Sequence, residues 1–211
     1  MVTRIAILGA ECTGKTTLGR ALATQLPPSP AAWRFVPEYL RLWCELHQRT
    51  PELEEQEGIA RQQVGNVESQ AQAGFSVIAD TAPLMTAIYS DFWFHDMSLY
   101  PNAIEHHRTY DLTLVTGLDI PWMADSIQRD GENVRATING KLREALDQHQ
   151  LPYAVVYGQA EGRLTCALDA IAHHQRSPRH RSPHDTQWKW ACDACSDPDC
   201  EHRLFSRLVA N

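Results

Sequence analysis

Short apolar, β-branched runs alternate with longer segments of helical spacing along most of the chain. The first run, Arg4-Ile-Ala-Ile-Leu8, ends at Gly9 and predicts a buried strand followed by a turn. Residues 15–26 have helical spacing; Pro27, Pro28 and Pro30 stop the helix, because proline has no N–H and its ring clashes with the preceding turn. Residues 33–36 predict a second strand and residues 37–47 a second helix. Residues 52–73, rich in Glu, Gln and Ala, carry a thin apolar stripe of Ile59, Val64 and Val67, as an exposed amphipathic helix would, and their acidic start suits the positive end of a helix dipole. A third strand is predicted over residues 75–79, ending in Asp80, then a helix over 84–94 and a fourth strand over 111–116. A helix over 138–149, a fifth strand over 153–157 and a last helix over 163–174 complete the pattern.

Strands alternating with helices predict an α/β three-layer sandwich with a parallel five-stranded sheet, covered on both faces and joined by right-handed crossovers. The 211 residues, 43% hydrophobic and 21% charged, suffice for one core. Composition changes near residue 175. Residues 175–186 are rich in Arg, His, Ser and Pro, and a Cys/His-rich tail with Trp188 and Trp190 follows, which divides the chain into a body over residues 1–174 and a linker and tail over 175–211. A net charge of -7 argues against a protein whose main partner is nucleic acid. No apolar run reaches the 18 residues of a membrane span, and with no export signal in view a cytoplasmic protein with reduced cysteines is expected.

Gly9-Ala-Glu-Cys-Thr-Gly14-Lys15-Thr16 fits G-x-x-x-x-G-K-[ST] between a strand and a helix, the context in which that pattern is a phosphate-binding loop. Its glycines let backbone N–H groups of residues 9–17 turn toward a phosphate, the helix start aims its dipole at the same anion, and Lys15 adds a point charge. ATP is the expected ligand, contacted along Gly9, Glu11, Cys12, Thr13, Gly14, Lys15, Thr16 and Thr17, with Thr16 reaching Mg2+. Thr116-Gly-Leu-Asp119 lacks the lysine of the guanine-reading N-K-x-D motif, so GTP is disfavoured. Glu11 is unusual beside phosphates and is expected to face Mg2+, an arginine or an acceptor hydroxyl.

Transfer of a γ-phosphoryl group needs Mg2+, a positioned acceptor and cations over the transition-state charge. Asp80, at the carboxyl end of an apolar strand, is placed beside the phosphate loop as a Mg2+ contact or general base; helix capping is the structural alternative for Asp80 or Thr81. The polar stretch 125–135 carries Arg129 and Arg135 around a glycine and reads as a lid whose arginines close on the phosphates. Glu38 and Tyr39 follow the second strand, at the same sheet edge, and are candidates for holding substrate hydroxyls.

Together, residues 9–16, Glu38-Tyr39, Asp80-Thr81 and Pro121-Trp122 with Asp125 and Arg129 resemble the ribosylnicotinamide kinase domain of the NadR-like P-loop (AAA-type) family over roughly residues 3–172. The resemblance implies a P-loop kinase fold, ATP-Mg2+ binding at Gly14, Lys15 and Thr16, an acid at Asp80, and substrate contacts around Glu38 and Tyr39. The adenylyltransferase activity of bifunctional members is not expected, since no H-x-G-H motif is present. The tail has no counterpart in the family pattern.

Cys192-x2-Cys195-x4-Cys200-x-His202 supplies four ligands of the kind that hold structural zinc, which would let a short segment fold and dock on a protein partner or a second copy. The expected function is therefore an ATP-dependent phosphotransferase acting on a small-molecule hydroxyl, a nicotinamide-riboside-like nucleoside being the leading acceptor. The alternative is a nucleotide-dependent regulatory ATPase or switch whose tail engages a partner.

Overall fold

A computed structural model describes residues 2–28, 31–122 and 131–176. In chain order these form β1 (Arg4–Leu8), α1 (Lys15–Gln25), β2 (Trp33–Val36), α2 (Tyr39–His47), α3 (Leu53–Gln72), β3 (Ser76–Asp80), α4 (Pro83–Phe94), α5 (Tyr100–His107), β4 (Leu112–Thr116), α6 (Gly131–Gln148), β5 (Ala154–Val156) and α7 (Ala160–Arg176). The five strands make one parallel sheet in the order β2-β3-β1-β4-β5. This is the α/β sandwich with a parallel five-stranded sheet that the alternation of elements predicts, and it fits the P-loop kinase fold that the family resemblance implies.

Side chains alternate across the pleat, and both faces are dry. Ile5 and Ile7 of β1, Ile78 of β3, Leu114 of β4 and Val156 of β5 pack against Leu18 and Leu22 of α1 and Ala167 and Ile171 of α7. From the opposite face Ala6, Leu8, Val77, Ala79 and Val115 meet Val67 of α3, Leu84, Met85 and Ile88 of α4, and Ile138, Leu142 and Leu146 of α6. A smaller cluster of Trp43, Cys44 and Ile59 seats α2 on α3. The acidic start of α3 is a capping box: the Glu52 carboxylate accepts from the Glu55 N–H and the Glu55 carboxylate from the Glu52 N–H.

Two elements depart from the expected pattern. The helix α5 is additional; Ala103, Ile104 and His107 bury one side of a segment too short and too rich in histidine to announce itself. The helix α6 begins at Gly131, seven residues before its expected start, so the second half of the stretch read as a lid is helix. Among the described residues Cys44 is buried and Cys166 half-buried, both as free thiols. No helix among the described residues is long and apolar enough to cross a membrane. The cysteine and histidine cluster of Cys192, Cys195, Cys200 and His202 lies outside the described residues, as does the protein contact expected of the tail.

Candidate active site

The carboxyl ends of β1 and β3 set the centre of the site. Ile7 is paired with Asp80, so the loop leaving β1 and the acid ending β3 emerge side by side. Gly9 has φ 150°, and a Cβ there would lie 2.1 Å from Thr116 Oγ1; only glycine lets the loop leave the sheet this close to β4. The loop is braced internally. Thr13 Oγ1 donates to the Ala10 carbonyl at 2.8 Å and receives a hydrogen bond from Thr116 Oγ1 at 2.7 Å, both threonines being fully buried. Gly14, at φ 79°, is the N-cap residue of α1, and no side chain caps that end, which leaves its N–H groups for an anion.

Lys15 and Thr16 open α1 toward the sheet edge. Lys15 Nζ donates to the carbonyls of Gly9 and Ala10 at 2.9 and 2.8 Å, which curls the ammonium over the phosphate loop. Thr16 Oγ1 donates to Asp80 Oδ2 at 2.5 Å, while Asp80 Oδ1 is buried with no hydrogen-bond partner. Asp80 belongs to β3 and does not cap α4: the N-cap residue there is Ala82, without a side-chain cap, and Pro83 opens the helix. Thr81 adopts φ 75°, rare for a β-branched residue, and its buried hydroxyl has no partner.

Glu38 is the N-cap residue of α2, yet its side chain makes no capping hydrogen bond. Burial pushes its carboxyl above the ordinary carboxylate range; the Lys15 charge opposes this, the Asp80 charge adds to it, and Arg41 and Glu11 act more weakly in opposite senses. Glu11 Oε1 is also buried and unpartnered. The expected acids at positions 11, 38 and 80 thus share one electrostatic neighbourhood with Lys15. Buried carboxylate oxygen left unpaired beside a threonine hydroxyl is the hard-oxygen donor set that suits Mg2+, so Thr16 and Asp80 fit the ion expected there. Tyr39 enters through its backbone, its N–H donating to Gln63 Oε1 at 2.8 Å; Gln63 Nε2 is buried without a partner. No group of three or more His, Cys, Asp or Glu residues suited to a metal is present among the described residues.

Arg135, expected on a lid, stands on the helix α6. It lies one turn into α6, 3% exposed, and its Nη2 donates to the Ile120 carbonyl at 2.7 Å, so it is fixed within the fold on the loop after β4. The physical reason is helix continuity: α6 already begins at Gly131. Asp125 and Arg129 lie outside the described residues. One buried cation was not foreseen. Arg163, in the first turn of α7, donates from Nη1 to the Thr13 carbonyl and from Nη2 to Asp119 Oδ1. Nothing local marks it, because its partners lie 150 and 44 residues away.

A family model described as an AAA domain matches residues 4–163. No curated protein sequence matches the chain. Among solved structures, a NadR protein in complex with NR aligns with a TM-score of 0.63 and 22% identity, covering 82% of this chain and 51% of that one. The chain therefore spans about half the length of that structure. Thymidylate kinase from Ehrlichia chaffeensis aligns with a TM-score of 0.59 and 15% identity over 82% of this chain and 98% of that chain. Deoxyadenosine kinase from M. mycoides gives 0.54 and 16% over 81% and 99%. What these structures share with this one is the fold.

Proposed function

We propose that this chain, which belongs to the AAA domain family, is an ATP-dependent kinase that phosphorylates a hydroxyl of a nucleoside-like small molecule. A nicotinamide-riboside-like nucleoside is the acceptor that the combined sequence features favour. The observation that carries the reading is the convergence of Lys15, Thr16, Asp80 and Glu38 at one sheet edge, with the phosphate loop on one side and carboxylates with unsatisfied oxygens on the other.

In this reading the loop amides and the uncapped start of α1 hold the triphosphate, and Lys15 moves from the Gly9 and Ala10 carbonyls onto the phosphate oxygens. Thr16 and Asp80 hold Mg2+, which supplies charge neutralisation at the phosphates. Glu38 orients the acceptor hydroxyl and, as the carboxylate, receives its proton as the new P–O bond forms and the bond between the γ-phosphorus and the ADP oxygen breaks; burial raises its proton affinity. Glu11 offers a second acceptor for substrate hydroxyls. Catalysis is then mainly positioning and electrostatics, which is what phosphoryl transfer asks of a protein.

The test is a thermal-shift panel of nucleosides with a nonhydrolysable ATP analogue and Mg2+, followed by turnover assays on the ligands that stabilise the fold. Lys15→Ala is expected to abolish turnover while leaving the unliganded melting temperature close to that of the wild type. Phosphate release that needs no acceptor would instead make the protein a hydrolase.

A further inference from the structure

We infer that Thr81 takes part directly in the transfer: its hydroxyl, held between Glu38 and the phosphate loop, donates a hydrogen bond to a non-bridging oxygen of the phosphoryl group in transit. The inference rests on the reading above that the chain is a kinase, and it adds a catalytic residue to that site.

Strand register fixes where Thr81 stands. Ile7 lies opposite Asp80 and Val36 opposite Ala79, so carrying both pairings forward sets Leu8 on one side of Thr81 and Glu38 on the other. Because β3 runs between β2 and β1, Thr81 stands between the acid that follows β2 and the loop that leaves β1. Its backbone is anchored, the N–H donating to the Ile7 carbonyl at 3.0 Å. Its side chain is not: the residue is 4% exposed, and the hydroxyl has no hydrogen-bond partner among the described residues. Thr13, Thr16 and Thr116, neighbouring threonines of this edge, each donate to an acceptor within the fold.

Nothing in the fold asks for this hydroxyl. The N-cap residue of α4 is Ala82 and Pro83 opens the helix, so Thr81 does not cap it. Its φ of 75° belongs to the left-handed region, where a β-branched side chain is strained and glycine or asparagine sits more easily. Strain and a buried unsatisfied hydroxyl on one residue both cost stability, and such groups gather where a ligand completes them. The charges around Glu38 show what that ligand lacks: Asp80 and Glu11 stand with it against Lys15 and Arg41, so phosphoryl oxygens entering there meet several acids and need donors. In the transfer the acceptor oxygen bonds to the γ-phosphorus, the bond from that phosphorus to the ADP oxygen breaks, and the acceptor proton passes to the Glu38 carboxylate. Negative charge meanwhile rests on the non-bridging oxygens, and Thr81 keeps its proton while donating to one of them.

The experiment follows γ-labelled ATP with Mg2+ and the full chain, offering nicotinamide riboside, adenosine, cytidine and thymidine in turn as acceptor, and compares single-turnover rates, KM values and unliganded melting temperatures. Thr81→Val keeps the branched shape and removes the hydroxyl. Its transfer rate is expected to fall about tenfold to a hundredfold, with KM for ATP and acceptor changed by less than about threefold and the melting temperature equal to or above that of the wild type. Thr81→Ser, which restores the hydroxyl, should recover the rate to within about threefold of the wild type. Should Thr81→Val fail to fold, Thr81→Gly, which suits the left-handed backbone, is scored against Thr81→Ser by the same rates. A hydroxyl-free variant as fast as the wild type, Thr81→Ser as slow as the hydroxyl-free variant, or a folded Thr81→Val that melts well below the wild type overturns the inference. A wild type that transfers label to no acceptor overturns the kinase reading itself.

Discussion

Thr16 and Asp80, 64 residues apart in the chain, are joined by a hydrogen bond of 2.5 Å from the threonine hydroxyl to one carboxylate oxygen, while the other oxygen is buried and unpaired. That contact ties the start of α1 to the end of β3 and leaves a charged acceptor facing the phosphate loop. Asp80→Asn keeps an oxygen for Thr16 and removes the charge. Phosphoryl transfer should fall by about a hundredfold or more, with the melting temperature unchanged or raised. Steady-state kinetics beside a thermal melt separate this from a folding defect.

Glu38 should be costly to the unliganded fold and necessary to the reaction. Its carboxyl is raised above the ordinary value of 4.5, first by burial and, among the charges, by Asp80 against the opposing Lys15. The folded state therefore keeps this proton to higher pH than the unfolded chain does, and stability is lost as pH rises from the ordinary carboxylate range through the raised value. Glu38→Gln removes that dependence. Its melting temperature at neutral pH should exceed that of the wild type, while turnover falls by about a hundredfold or more. A variant that is both less stable and fully active would contradict both assignments.

His107 acts in the opposite direction, far from the site. Burial, and secondarily the neighbouring His106, lower it from 6.5 to about 4, and its Nε2 lies 2.9 Å from Thr113 Oγ1. A neutral imidazole is needed for folding, so the stability it contributes is full above about pH 6.5 and is lost as pH falls toward 4. At about 1.4 kcal/mol per pH unit this is about 3 kcal/mol. Denaturant titrations at several pH values should show that slope in the wild type and a shallower one in His107→Gln.

Two glycines on helices should respond oppositely to alanine. A Cβ on Gly19 would lie 2.6 Å from the Phe35 ring and 3.3 Å from Ile7 Cδ1, so Gly19→Ala should destabilise by about 1–3 kcal/mol as α1 is pushed off the sheet. Gly58, on the exposed side of α3, meets nothing within 4 Å, and Gly58→Ala should stabilise by about 1 kcal/mol. Urea denaturation of the two variants checks both signs.

What could be read in the amino-acid order follows from how local each signal is. The strand Arg4–Leu8, the glycines of the loop and the helix from Lys15 are consecutive, and each constrains its neighbour through φ, hydrogen bonding and periodicity. The position of Asp80 was legible because it ends the apolar run of β3, which pairs with β1 and sets the acid beside the loop leaving that strand. Arg135 read as part of a lid because Gly131, Glu132 and Asn133 look like loop residues, whereas α6 already begins at Gly131. The helix Tyr100–His107 went unread because its apolar side consists of Ala103, Ile104 and a histidine. Arg163 could not be found at all from spacing: its role exists only once the sheet order brings the loops after β4 and β5 beside the phosphate loop.

The most direct test of the kinase reading is to follow γ-labelled ATP in the presence of Mg2+ and a panel of nucleosides that includes nicotinamide riboside, resolving label on nucleoside monophosphate from label released as inorganic phosphate. Label should appear on the nucleoside with the wild type and vanish with Lys15→Ala. Label found only as inorganic phosphate, at the same rate with and without every acceptor, would contradict the account.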